Sequence, residues 1–163
     1  MNSGTEVQVE DRVREHLRVG EAFRAAVWVS RRDERASAGM TRAEMSPFRL
    51  GFRRPKLERR GVFGSPGSFA VGLDEHIRLV TDPRVLALTD RRLMVLSERF
   101  GSLRGLLRPA SRALPSLHLD WECPRADLVS ATEKAGHLRL TFTDKSVVTL
   151  ITPSAGAKSF LAG

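Results

Sequence analysis

The stretch RVLALTDRRLMVL at positions 84–96 constrains this chain more than any other. Val85, Leu86, Ala87 and Leu88 form one continuous apolar run of strand length, and Leu93, Met94, Val95 and Leu96 form a second. Each run therefore reads as a strand buried on one or both faces. Thr89, Asp90, Arg91 and Arg92 supply a polar corner between them, with Asp90 suited to accept backbone N–H groups ahead of it. Strands joined so closely pair antiparallel. Leu, Ala, Arg and Met are also good helix formers, so one amphipathic helix through the stretch is the competing reading.

The C-terminal third carries the same signal in alternating form. Leu117, Leu119, Trp121 and Cys123 alternate with His118, Asp120 and Glu122, which predicts a strand with one apolar face, ended by Pro124. The run ADLVSAT at 126–132 starts another strand, Ala135-Gly136 turns the chain, and Leu138, Leu140 and Phe142 alternate with polar residues. Asp144-Lys145 makes a tight corner before a return strand over 147–151. Thr152 suits a helix N-cap and Pro153 a first turn, predicting a closing helix over 153–162 with Ala157, Phe160 and Leu161 toward the sheet.

Upstream, Phe23, Ala25, Val27 and Val29 alternate with Arg24, Ala26, Trp28 and Ser30, a strand whose more polar face carries Trp28, to be covered by the segment that follows. Val9, Val13, His16 and Leu17 recur at three- and four-residue steps. They predict an N-terminal amphipathic helix over 7–19, stopped by Gly20 and packed on its own domain. Lying on a membrane is the alternative use of such a helix, for which this apolar face is thin.

An apolar content of 41%, with two Trp and no Tyr, predicts a single domain with a modest core and long loops. One Cys excludes an internal disulfide, and Cys123 reads as a small core residue whose neighbour Glu122 disfavours a thiolate. Asp74, Glu75 and His76 are the densest cluster of titratable groups, but no partner stands at metal-ligand spacing, and His16, His118 and His137 are isolated. The cluster is expected to be a solvated turn. No nucleophile and base pair up in the sequence, so no catalytic residue, metal or cofactor is assigned, and the chain reads as no enzyme. No apolar run approaches the roughly 20 residues of a spanning helix. The polar opening MNSGTEVQVEDRVREHL does not resemble a signal peptide, which predicts a cytoplasmic protein.

Charge is the remaining clue. The net charge is +8, and 23 of the 27 basic residues are Arg, whose planar fork matches phosphate. A GC-rich coding sequence produces the same bias. Ten basic residues face four acidic ones between positions 31 and 60, a net +6. A second segment, 98–116, adds Arg99, Arg104, Arg108 and Arg112 against Glu98. These segments, 31–72 and 98–116, read as two basic insertions that together exceed the net charge, leaving a nearly neutral body. In the first, Phe48, Phe52, Leu57 and Phe63 are interleaved with cations. Rings among arginines can stack and neutralise a phosphate-rich partner, or they can anchor a loop to its own core.

The order LALTDRRLMVL, a strand with Trp, PRADLVSAT, HLRLTFTDKSVVTL and a closing helix ending Phe-Leu-Ala resembles the bacterial PH-like domains, relatives of the pleckstrin-homology superfold. The resemblance covers positions 84–96 and 117–162. It implies a mainly β antiparallel barrel or sandwich of about seven strands, plugged at one end by the last helix. It also implies basic residues in the loop after the first strand, where Arg31, Arg32 and Arg35 stand. The expected function is a non-catalytic binding module, attaching to an anionic lipid surface or other polyanion through Arg31, Arg32, Arg35, Arg53, Arg54, Lys56, Arg59 and Arg60. It would be membrane-peripheral where that polyanion is lipid. The alternative is a protein partner, a peptide taken at a sheet edge or beside the last helix. Nucleic acid would suit the charge, but no nucleic-acid motif accompanies it.

Overall fold

The two apolar runs pair as the central hairpin of a four-stranded antiparallel sheet. A computed structural model describes residues 3–31, 61–77, 83–98, 116–153 and the helical positions 157, 160 and 161. In chain order these form α1 (Ser3–Arg14), β1 (Phe23–Val29), β2 (Val62–Phe63), α2 (Phe69–His76), β3 (Arg84–Thr89) and β4 (Arg92–Glu98). There follow β5 (Leu117–Pro124), a 3-10 turn (Arg125–Asp127), β6 (Leu128–Lys134), β7 (His137–Phe142) and β8 (Val147–Ile151). The first sheet has the order β1-β3-β4-β5 and the second β2-β8-β7-β6. The protein is mainly β, as the sequence predicts. Eight strands are described rather than about seven, and they form two sheets rather than a closed barrel. An isolated bridge from Ser30 to Ile151 joins the sheets at one corner.

The continuous apolar runs of β3 and β4 arise because both faces of the first sheet are covered. Leu86, Leu88, Leu93 and Val95 point to the core shared with Leu138, Leu140, Phe142, Val148 and Leu150 of the second sheet. Val85, Ala87, Met94 and Leu96 point the other way, under Val9 and Val13 of α1. Trp28 packs in this second cluster beside α1, while the segment after β1 expected to cover it lies mostly outside the described residues.

Three β-bulges correct the face assignments made by alternation. An extra residue in one strand flips every side chain beyond it relative to a regular pleat. Leu119 pairs with Leu96 and Trp121 with Val95, so Asp120 is the extra residue of β5. Leu117 and Leu119 consequently turn toward α1, whereas Trp121 and Cys123 turn toward the shared core. The predicted single apolar face of this strand is split in two. Irregularity between Phe23 and Ala25 separates Phe23 from Ala25, Val27 and Val29 in the same way, and another between Leu128 and Ser130 lets Leu128 and Ala131 share the core.

Both ends of α1 and the nature of α2 differ from expectation. The helix ends at Arg14 instead of residue 19, because competing partners take its last backbone groups. The His16 carbonyl accepts Arg92 Nη2 (2.6 Å) and the Arg18 N–H donates to Glu21 Oε2 (2.8 Å). Gly20, at φ +75°, serves this turn and not a helix stop. Residues 69–76, expected as insertion end and solvated turn, form α2, which buries Ala70, Val71, Leu73 and Asp74. Its N-terminus is capped from a distance: Asp144 Oδ2 accepts the Phe69 N–H (2.9 Å) and Ser146 Oγ the Ala70 N–H (3.1 Å). That arrangement satisfies donors a helix cannot satisfy itself. Gly72 lets Trp121 approach, since a Cβ there would lie 3.1 Å from Trp121 Nε1. At the chain end, Ala157 N–H donates to the Pro153 carbonyl (3.4 Å), and Ala157 and Phe160 are buried.

Candidate functional site

Register places the departure points of both basic insertions at one end of the first sheet. Trp28, Val85, Leu96 and Leu119 pair successively into one row across its four strands. Beyond that row the chain leaves β1 through Ser30 and Arg31, and leaves β4 through Ser97 and Glu98, with Glu98 paired to Leu117 where β5 begins. The first insertion also has its two anchors side by side on β8. Ser30 and Ile151 exchange backbone hydrogen bonds (3.0 and 2.9 Å), and the Thr149 N–H donates to the Gly61 carbonyl (2.9 Å).

Of the eight predicted anion-binding residues, Arg31 lies among the described residues. Its guanidinium turns inward onto α2: Nε donates to Asp74 Oδ1 (3.2 Å), and Nη2 to Oδ2 (3.2 Å) and to the Asp74 carbonyl. The Arg31 side chain is 20% exposed and that of Asp74 2%. Arg31 thus ties the root of the insertion to the fold. Arg32, Arg35, Arg53, Arg54, Lys56, Arg59 and Arg60 lie outside the described residues, as do Arg99, Arg104, Arg108 and Arg112 of the second insertion.

Asp74 is the buried charge that sequence reasoning missed. Adjacent Asp, Glu and His look like a solvated turn on an extended chain, but on a helix Asp74 faces inward one residue from buried Leu73, while Glu75 stays exposed. The apolar spacing of Ala70, Val71 and Leu73 carried the helical signal, and Gly72 beside the GSPGS loop masked it.

At the opposite end of the sheet the TDRR corner closes on itself. Arg92 Nε and Nη2 hold Glu21 Oε1 and Oε2 at 2.8 and 2.9 Å, while Nη1 donates to Glu122. The Thr89 hydroxyl donates to Glu21 (2.6 Å), and Thr89 Oγ1 accepts the Arg91 and Arg92 N–H groups (3.1 and 2.9 Å). Thr89, not Asp90, therefore shapes the turn. Asp90 instead clamps the entry to β1, accepting the Ala22 N–H at 2.8 Å. Burial alone would raise the Glu21 carboxyl, but hydrogen bonds from Arg92, the Arg18 N–H and Thr89 outweigh it and bring the pKa down to about 2. A cleft of about 240 Å³ opens here, lined by both partners of this pairing. Cys123 lines it too. Burial, aided by Asp127, pushes its thiol up to about 12, so it is inert.

A second groove, of about 220 Å³, runs between β6 and the closing helix. Val129, the bulged residue of β6, is 61% exposed on one side and Leu161 41% exposed on the other. The other side of β6 pairs with β7, so β6 is an edge of its sheet. Among the described residues no group of His, Cys, Asp or Glu could hold a metal, and no helix is long and apolar enough to cross a membrane. The arrangement defines a class: a two-sheet antiparallel β protein with an internally paired corner at one end of its first sheet and, at the other, the points where the chain leaves toward its two basic segments. Family models, curated proteins and solved structures give no match to it.

Proposed function

We propose that this chain is a non-catalytic, PH-like binding module of the cytoplasm that attaches to an anionic surface through its first basic insertion. Arg32, Arg35, Arg53, Arg54, Lys56, Arg59 and Arg60 supply the contacts and Arg31 holds the insertion's root against Asp74. The observation that carries the reading is that the chain leaves the first sheet toward both basic segments from one end, while the rest of the sequence is nearly neutral. Supporting the PH-like assignment are two stacked antiparallel sheets and a helical segment at the chain end. Each basic group near an anionic membrane contributes about 1 kcal/mol, so four of the seven suffice for reversible attachment.

Co-sedimentation with phosphatidylserine-containing and purely neutral vesicles tests this, beside a variant with Arg53, Arg54, Arg59 and Arg60 changed to Ser. Binding to the anionic vesicles alone, weakened by salt and by the variant, is expected. Salt-insensitive or absent binding overturns it. The second reading, a peptide partner, draws on the groove at β6, where Val129 and Leu161 offer apolar contacts beside a strand edge that no described strand pairs. It gains if neither vesicle binds.

A further inference from the structure

The outer face of the second sheet has no described helix on it, because α1 packs on the first sheet and α2 contributes to the shared core. Cross-strand register fixes which side chains share that face. Ser130, Thr141, Val147 and Phe63 form one row, Thr132, Arg139 and Thr149 a second, and Lys134, His137 and Ile151 a third. Lys134, Arg139, Thr132 and Ser130 are exposed, and Phe63 is 52% exposed at the β2 edge.

No carboxylate stands in any of the three rows, although the chain has 19 acidic residues. The acids that border the face are turned to other work. Glu133 accepts the Gly136 N–H (2.8 Å), Asp127 accepts the Thr143 hydroxyl (3.0 Å), and Asp144 caps α2. The face also meets the first insertion directly, since Ser30 and Gly61 bond to Ile151 and Thr149 of β8, both of which belong to it.

Resting on the proposed anionic-surface reading, we infer that this sheet face is the second half of the contact and that its occupant is an anionic lipid bilayer. Two cations and a lawn of hydroxyl donors, with no acid to repel phosphate, complement a plane of headgroups. These exposed side chains present charge and hydroxyls outward, where a peptide would need the groove on the other side of β6. Phe63 at the β2 edge of the face is half exposed and offers an apolar ring to the acyl boundary.

The test is co-sedimentation of the full chain with phosphatidylserine–phosphatidylcholine vesicles, comparing Lys134→Gln and Arg139→Gln with Arg24→Gln. Arg24 is an exposed cation on the first sheet, so its loss lowers net charge equally away from the face. Partitioning is expected to fall roughly fivefold for each face variant and less than about twofold for Arg24→Gln. All three residues are exposed, so matching thermal melts confirm intact folds. Equal losses from all three variants, or none, overturn the inference. If wild type binds, the insertion variant fails to bind and the face variants bind normally, the face is excluded while the insertion reading stands. Loss by the face variants with the insertion variant unaffected keeps the face and removes the insertion. Without wild-type binding both fall, and tighter binding to single-stranded nucleic acid than to vesicles replaces the lipid occupant.

Discussion

The outer faces of the two sheets are opposites built from the same backbone. On the first sheet that face is Val85, Ala87, Met94 and Leu96, each fully buried, with Leu117, Trp28 and Leu119 around them and α1 above. On the second it is Ser130, three threonines, Lys134, Arg139 and His137, with Val147, Ile151 and Phe63 toward β8 and β2 and no described helix above. The central strands of the first sheet, β3 and β4, read as unbroken apolar runs and β7 of the second as strict alternation, because the number of buried faces sets the pattern. What differs in three dimensions is the cover. Among its described side chains this 12-residue helix buries Val9 and Val13 against the sheet, and the corner ties the chain behind it down as well. Arg92 ties the His16 carbonyl behind α1 to Glu21 and Glu122, and Asp90 fixes Ala22.

The largest effect should therefore come from cutting that corner. Arg92→Leu leaves Glu21 buried without its partner, which costs about 3–5 kcal/mol, whereas adding Glu21→Leu should recover much of the loss. Urea unfolding of both single variants and the double measures this. If the double variant is no more stable than Arg92→Leu, the pair does not hold α1 as described.

Acid probes the same link without mutation. The Glu21 pKa is depressed in the folded protein, so its stabilisation is fully present above the unfolded value near 4.3 and is lost as pH falls through about 2. The loss should be about 3 kcal/mol over that window. Asp144 is also lowered, against the pull of its burial, by hydrogen bonds from Ser146 and Phe69, and contributes in the same direction. Stability curves between pH 5 and 2 for wild type and Glu21→Gln should converge as pH falls; parallel curves would remove Glu21 from the acid response.

The sequence made the hairpin at 84–96, the alternation of β7 and β8 and the buried inertness of Cys123 legible, since each depends on local periodicity or on a single residue's chemistry. Features that depend on one extra residue or on a distant partner were not. The bulge at Asp120 split a strand face that alternation presents as single, and nothing in LHLDWEC marks which residue is extra. The buried carboxylates Asp74 and Glu21 pair with cations 43 and 71 positions away, Arg31 and Arg92, and their own neighbours give no sign of it. Of the candidate site, the charge distribution was legible, whereas the common end from which the insertions leave needed the register.

The smallest contrast tests the two faces side by side. Val13 is fully buried on the first sheet's outer face, and its truncation to Ala removes two methyl groups from under α1, a loss of about 2 kcal/mol. Arg139 is the central exposed residue of the opposite face, and Arg139→Ala should change stability by less than about 0.5 kcal/mol. Thermal and urea unfolding give both numbers. A Val13 variant as stable as wild type would mean that α1 rests on its sheet without stabilising it, and the apolar runs of β3 and β4 would then need another cover. A markedly destabilised Arg139 variant would mean that the second face is packed against part of the chain, and a face so occupied is not available to a membrane.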